Sequence, residues 1–120
     1  MSGIHITAYK NRTTKERITL TDVDGATVTL DSDDTVRVKV GRQGATPILD
    51  ITSAAALSGG TSVTSANPCT VIFDQDDLNN KTAGVYDVEA MVVDTLDHNR
   101  VKHAEMGVFV LIETQGGSVN

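Results

Sequence analysis

The stretch TAGVYDVEAMVVD, residues 82–94, decides the fold, because apolar side chains recur at every second position after its glycine. Successive side chains of an extended strand point to opposite faces of a sheet. One face carries an apolar set, Tyr86, Val88, Ala90 and Val92. The opposite face carries Val85, Asp87, Glu89, Met91 and Val93. The stretch therefore predicts a β-strand whose first face packs against a core.

Other stretches of the chain have the same two-residue period. They are ERITLT (16–21), ATVTLD (26–31), DTVRVKV (34–40), ILDITS (48–53), CTVIFDQ (69–75) and NRVKHAEMGVFVLIE (99–113). The first two flank TDVDG, whose Asp and Gly residues favour a tight turn, so we predict that they form a hairpin. In DTVRVKV, the three valines are predicted to be buried. The small-residue segment 53–68 is predicted to be a loop.

These strand signals and the composition together predict an all-β fold. Aromatic residues make up only 3% of the 120 residues and tryptophan is absent, so aliphatic side chains fill the core, and the β-branched ones favour sheets. A chain of this length fits one domain. About eight short strands separated by turns are typical of a sandwich. We predict one antiparallel β-sandwich over residues 1–120, ending in a polar tail, residues 115–120.

Tyr86 stands just inside its strand, two residues after Gly84 and at the end of a polar loop. This placement resembles the tyrosine corner of immunoglobulin-like β-sandwiches, in which the hydroxyl donates to a backbone carbonyl a few residues upstream. The resemblance implies an immunoglobulin-like sandwich. It also implies that Tyr86 and the neighbouring Gly84 have a structural role, closing one end of the core.

The charge and the cysteine content argue against several classes of protein. Sixteen acidic and ten basic residues give a net charge of -6, which repels phosphate backbones and anionic lipid, so neither nucleic acid nor a membrane is the expected partner. Cys69 is the sole cysteine and lacks any zinc-binding spacing, so we expect a small buried side chain. No apolar run approaches the roughly 20 residues that span a bilayer.

The histidines give little support for catalysis. A catalytic histidine needs a nucleophile or an orienting carboxylate beside it. Among His5, His98 and His103, only His103 has a carboxylate on the same face of its strand, that of Glu105. No nucleophile elbow or HExxH motif accompanies the pair. We predict a polar pair, no enzymatic activity and no cofactor.

Two acidic clusters have the oxygen ligands that Ca²⁺ prefers. They are Asp31, Asp33 and Asp34, and Asp74, Asp76 and Asp77. Neither has the twelve-residue spacing of an EF-hand loop, and aspartate also caps turns by accepting backbone N–H bonds. We therefore predict turn capping and no metal site. The GRQG segment, residues 41–44, lacks the spacing and the following helix of a phosphate-binding loop, so it is predicted to be a turn.

Two features point to an interaction surface. A basic stripe, Arg37, Lys39 and Arg42, either docks on an acidic neighbour or balances nearby aspartates. The run from Val108 to Ile112 is apolar on both faces, so it must be central in a sheet or covered by a neighbour such as another subunit. The predicted interface residues are Arg37, Lys39, Arg42, Val108, Val110 and Ile112. Gly107, inside the last strand, predicts a kink or bulge.

Three segments taken together resemble the small β-sandwich structural proteins of tailed bacteriophages and prophages. They are DTVRVKVGRQGATPILD, AGVYDVEAMVVD and VKHAEMGVFVLIE. The shared features are a Val-rich strand before a GRQG-like turn and an ending like KHxExGVF, over roughly residues 34–114. The resemblance implies a virion component with no chemistry of its own, either a decoration protein that cements capsid subunits or a tail or baseplate module.

We therefore expect a capsid decoration protein that is made in the host cytoplasm and located on the capsid surface of the virion. Its expected partners are the major capsid protein and copies of itself, for example in a trimer, with stability that comes from multivalent attachment. A tail or baseplate structural module is the first alternative. A carbohydrate- or calcium-binding surface domain is the second, which the scarcity of aromatic side chains disfavours.

Overall fold

The computed structural model describes residues 4–113, which form eight β-strands and one short helix. The strands are β1 (Ile4–Tyr9), β2 (Thr14–Ile18), β3 (Asp34–Gly41), β4 (Leu49–Thr52), β5 (Ser62–Val63), β6 (Cys69–Phe73), β7 (Gly84–Asp94) and β8 (Arg100–Ile112), with the helix α1 (Gln75–Leu78) between β6 and β7. One sheet has the order β1-β8-β7-β3-β4 and the other has the order β2-β6-β5. The all-β prediction is confirmed. The predicted polar tail, residues 115–120, lies outside the described residues.

The five-stranded sheet is built around β7, which pairs antiparallel with β3 on one side and β8 on the other. The predicted inward set of β7 is buried, as are the three valines of β3. These residues are Tyr86, Val88, Ala90 and Val92 with Val36, Val38 and Val40. The two-residue period therefore correctly predicts both strands and their buried faces.

The three-stranded sheet supplies the opposite wall of the core. Cys69, Val71 and Phe73 of β6 are fully buried. The Phe73 ring packs edge-on against Phe109 of β8, with ring centroids 5.1 Å apart, so the two phenylalanines of the chain meet between the sheets. Burial raises the pKa of the Cys69 thiol. The prediction of a small buried cysteine is confirmed.

The strand β8 lies between β1 and β7, so the apolar run from Val108 to Ile112 is central in its sheet, the first of the two predicted alternatives. The pairing of β1 with β8 is parallel, with Ile4 opposite Gly107 and Tyr9 opposite Ile112. The prediction of a wholly antiparallel fold is therefore wrong for this strand. A period of two fixes which face is buried but carries no information on the direction of the partner strand.

The irregularity of β8 lies at Lys102 and not at Gly107, so the predicted position of the bulge is wrong. Val92 pairs with His103 and Val93 pairs with Val101, which leaves Lys102 as the extra residue. Gly107 serves a different purpose. A Cβ atom there would come within 2.0 Å of the Ile4 carbonyl oxygen, so glycine is needed for the close approach of β1.

The predicted hairpin between ERITLT and ATVTLD is wrong in its second strand. The turn forms, since the Val28 N–H donates to the Leu20 carbonyl at 3.0 Å, but β2 pairs instead with β6. The Asn67 amide donates to the carbonyls of Leu20 and Val28 and accepts from the Leu20 N–H. One distant side chain thus satisfies backbone groups that a second strand would otherwise bond.

The segment 53–68 is largely irregular, as predicted, apart from the two residues of β5. It is held by Asp77, whose carboxylate accepts from the Gly59 N–H at 3.1 Å and the Thr61 N–H at 2.9 Å. The helix α1, which the sequence did not predict, is capped by Asp74, whose side chain accepts from the Asp76 N–H. Both contacts follow the capping role predicted for aspartate.

Candidate functional site

Five of the six predicted interface residues lie on one surface, the solvent-facing side of the five-stranded sheet, here called the outer face. Strand registers place them there: Lys39 is opposite Glu89, Asp87 is opposite Val108, and Val85 is opposite Val110. Residues directly opposite each other in a sheet point to the same side. The five are Arg37, Lys39, Val108, Val110 and Ile112.

An apolar band crosses the outer face along β7 and β8. Val85 is 62% exposed, Met106 is 57% exposed and Val108 is 37% exposed, while Val110 and Ile112 are half-buried. Monomeric soluble proteins rarely leave apolar side chains contiguous on a surface, and such bands commonly mark contacts with other proteins. We define these five residues as the apolar band.

At the end of the outer face nearest the turn between β7 and β8, two outward-pointing side chains of β7 are buried. Met91 and Val93 point outward by the strand period, yet they are 5% and 6% exposed. Val101, opposite Val93, is 49% exposed on this side of the sheet, whereas the five residues of the apolar band lie on the first part of β7 and the last part of β8.

The charged side chains of the outer face are balanced within the molecule. The Arg37 guanidinium donates to both carboxylate oxygens of Asp50, at 2.8 and 2.6 Å. This contact holds the pKa of Asp50 below its ordinary value and raises that of Arg37. Lys39 is opposite Asp50 on one side and Glu89 on the other. Of the two interpretations of the basic stripe, internal charge balance accounts for these contacts.

Arg42, the sixth predicted interface residue, lies directly after β3. Its guanidinium carbon is 4.5 Å from the centroid of the Tyr86 ring, a cation–π contact at the end of the core. A Cβ atom at Gly84, where φ is +155°, would come within 3.0 Å of the Arg42 side chain. Arg42 therefore packs against the start of β7 and, together with Lys39 and Met106, lines a concavity at the margin of the outer face.

Tyr86 itself is buried, and its hydroxyl donates to the backbone carbonyl of Thr82. This is the upstream contact that the tyrosine-corner interpretation predicts. Tyr86, Gly84 and Arg42 thus form one cluster that closes the end of the core, which is a structural arrangement.

The two residues His103 and Glu105 lie on β8, with His103 Nε2 3.0 Å from Glu105 Oε2. The same carboxylate oxygen accepts from the Thr21 N–H at 2.7 Å. The pair therefore ties β8 to the turn that follows β2. His98 is far out in the turn between β7 and β8, with its side chain 98% exposed.

The first acidic cluster is organised by a lysine. The Asp34 carboxylate is buried, and its Oδ2 accepts from Lys102 Nζ at 2.9 Å and from the Asp31 N–H at 2.8 Å. Lys102 also contacts Asp31 at 3.1 Å. Oδ1 of Asp34 is buried without a hydrogen-bond partner among the described residues. The hydrogen bonds to Oδ2 alone therefore offset the cost of burying the carboxylate.

Across residues 4–113, no group of three or more metal-ligating side chains is arranged to hold an ion. Within the same range, no helix has the length and apolar character to cross a membrane. Comparisons of the chain with protein-family models, curated proteins and solved structures found no match. The phage resemblance therefore remains a prediction, and the geometry of the outer face is the basis for a functional proposal.

Sequence reasoning missed Val85 and Met106 as members of the exposed band. Both alternate correctly with buried neighbours, but Asp87 and Glu89 interrupt the apolar pattern of β7, and the six predicted interface residues include neither Val85 nor Met106. The information that identifies these two residues is the pairing between β7 and β8. The register that places Val85 opposite Val110, and Glu89 opposite Met106, becomes visible only when β7 and β8 are paired.

Proposed function

We propose that the protein is an immunoglobulin-like β-sandwich. The strand order supports this proposal, since β2-β6-β5 matches one sheet of that fold and β8-β7-β3-β4 matches the other. The Tyr86 hydroxyl bond to Thr82 supports it independently, because the same contact characterises the tyrosine corner of such domains.

We further propose that the protein is a non-enzymatic structural component of a tailed-phage virion, a capsid decoration protein that attaches through its outer face. The observation that carries the proposal is the apolar band, which exposes Val85, Met106 and Val108 on a regular sheet surface. A flat sheet face is suited to covering a joint between subunits. Beside the apolar band, the loop 41–47 and the sheet enclose a concavity of about 360 Å³, so this surface has a recess next to its apolar residues.

The size of the outer face suits attachment. Five strands spaced about 4.8 Å apart give a width of about 24 Å, and strands rise about 3.4 Å per residue, so the face offers several hundred Å². A specific interface buries about 800 Å² on each partner. One outer face is therefore close to the size of a single specific contact, and repeated copies on a particle add avidity.

Co-sedimentation with empty heads and with purified tails of the encoding phage tests the proposal. The wild-type protein is expected to bind heads. Met106→Glu is expected to weaken binding about tenfold or more, because it places a charge within the apolar band that the contact would bury. Val23→Glu is the matched control, since Val23 is wholly exposed in the turn after β2 and lies outside the outer face.

Binding to heads that Met106→Glu leaves unchanged would contradict the outer-face assignment. Binding to tails and not to heads would replace decoration with the tail or baseplate alternative. A protein that binds neither particle would contradict the virion role.

A further inference from the structure

The strand β1 leaves one backbone edge unpaired among the described residues. It forms one end of the five-stranded sheet and pairs only with β8. Beside it, β2 forms an end of the other sheet, and a groove of about 320 Å³ runs between the two strands, lined by Ile4, Ile6 and Ile18 among others. The sandwich is therefore open on this side.

The backbone groups that face the opening can be assigned by alternation. The Lys10 N–H donates to the Ile112 carbonyl at 2.9 Å, so the backbone groups of the even-numbered residues of β1 point toward β8. Those of His5 and Thr7 then point away from the sheet. Tyr9 follows the same alternation, and its carbonyl accepts from the Arg12 N–H at 3.3 Å, so three N–H groups and the carbonyls of His5 and Thr7 are directed at the edge.

The edge of β1 lacks the usual protection against strand pairing. Natural edge strands are blocked by charged side chains, proline, bulges or short length. β1 has six residues, none of them charged or proline apart from the titratable His5. The other sheet ends are protected: β2 reads TKERI, β4 has four residues and β5 has two.

We propose that β1 pairs edge to edge, antiparallel, with β1 of a second copy of this chain. A two-fold axis at Ile6 places His5 of each copy opposite Thr7 of the other. These are the residues whose backbone groups point outward, so the symmetric register forms four hydrogen bonds. The buried Ile6 side chains stay on the inner side, and the two five-stranded sheets become one continuous sheet.

The charge distribution leaves the β1 edge as an approach open to a second copy. The molecule has a net charge of -6, so two copies repel each other at most approaches. β1 contains no Asp, Glu, Lys or Arg, so edge-to-edge pairing brings no like charges of this strand together. An edge contact of one strand is small, so the dimer forms at high protein concentration. This inference is independent of the virion role.

Sedimentation equilibrium combined with amide hydrogen exchange on the full chain tests the inference. With rising protein concentration, the average mass is expected to approach twice that of the monomer, while the His5 and Thr7 amides become slower to exchange. Thr7→Pro is expected to weaken dimerisation about tenfold or more, since it removes a donor from each copy. Its N–H points away from β8, so the β1–β8 bonds remain.

Thr7→Val is the matched control, because it keeps the N–H and is expected to dimerise like the wild type. Melting curves of both variants show whether the fold is intact. A wild-type protein that stays monomeric at the highest concentrations, or a folded Thr7→Pro variant that dimerises normally, overturns the inference. Protection of the His5 and Thr7 amides only when capsid shells are added also overturns it, in favour of a strand from the capsid protein.

Discussion

Tyr86 combines three contacts at the end of the core that a smaller side chain could not make together. Its ring is buried, its hydroxyl donates to the Thr82 carbonyl, and Arg42 packs over the ring face at 4.5 Å. The ring supplies apolar area and the hydroxyl satisfies a loop carbonyl, which is the usual reason for a buried tyrosine. Tyr86 therefore holds the loop before β7 in place through its hydrogen bond to Thr82.

Substituting Tyr86→Phe separates the hydroxyl bond from the packing. The ring and its contact with Arg42 are retained, while the Thr82 carbonyl loses its donor. We expect the free energy of unfolding to fall by about 1 kcal/mol, the typical net value of one buried hydrogen bond. Thermal and denaturant unfolding measure the change. Tyr9→Phe is the control, because no described residue bonds the Tyr9 hydroxyl, and equal losses in both variants would contradict the role of the Tyr86 bond.

At the scale of elements, the parallel pairing of β1 with β8 depends on Gly107. The Ile4 carbonyl carbon and oxygen occupy the space where a Cβ atom would lie, at 2.6 and 2.0 Å. Backbone atoms cannot rotate away as the end of a flexible side chain does. The first residues of β1 therefore reach β8 only because residue 107 has no side chain.

Gly107→Ala is expected to displace the start of β1 and to lower the free energy of unfolding by about 1–3 kcal/mol, the usual range for an overpacked site. Amide exchange of Ile6 and Ala8, whose N–H groups bond β8, should become faster. Gly44→Ala adds a methyl group that contacts nothing within 4 Å. It strains its own turn but should leave the β1 amides protected. Unchanged protection of β1 in Gly107→Ala would contradict the close-approach argument.

The sequence correctly predicted strands that are encoded by neighbouring residues. It did not predict features that depend on contacts between residues far apart in the chain. The strands β3 and β7, with their buried faces, follow from a period of two. The second arm of the predicted hairpin does not form a strand, and its Val28 carbonyl accepts instead from Asn67, 39 positions away. Five of the six predicted interface residues share one face of the sheet, whereas Val85 and Met106 became evident as their neighbours only from the pairing of two strands.

At the scale of the whole molecule, an ion pair between the buried Asp34 carboxylate and the more exposed Lys102 links β3 to β8. The bulge at Lys102 in β8 places its ammonium group 2.9 Å from the Asp34 carboxylate at the start of β3. Asp34 also bonds the turn before it through the Asp31 N–H. Removing either charge leaves the other without its partner, so the pair couples the turn, β3 and β8.

This pair makes stability depend on pH. The Asp31 N–H lowers the pKa of Asp34, burial opposes the effect, and Lys102 lowers it further, so the folded pKa is below the ordinary 3.8. The stability that ionised Asp34 contributes is fully present above the unfolded pKa of Asp34, and it is lost as pH falls through the folded pKa of Asp34. The pKa of Lys102 is raised above the ordinary 10.5, so its contribution is lost only as pH rises beyond that value.

We therefore expect the free energy of unfolding to fall as pH drops below about 4, because the unfolded state then binds more protons than the folded state. Asp34→Asn is expected to be less stable at neutral pH and to lose less stability on acidification, since its side chain no longer titrates. Asp33→Asn is the matched control, because Asp33 is exposed and keeps the Asp34–Lys102 pair. Denaturant unfolding at a series of pH values measures the slopes, and an Asp34→Asn slope as steep as that of Asp33→Asn would show that the pair does not govern acid stability.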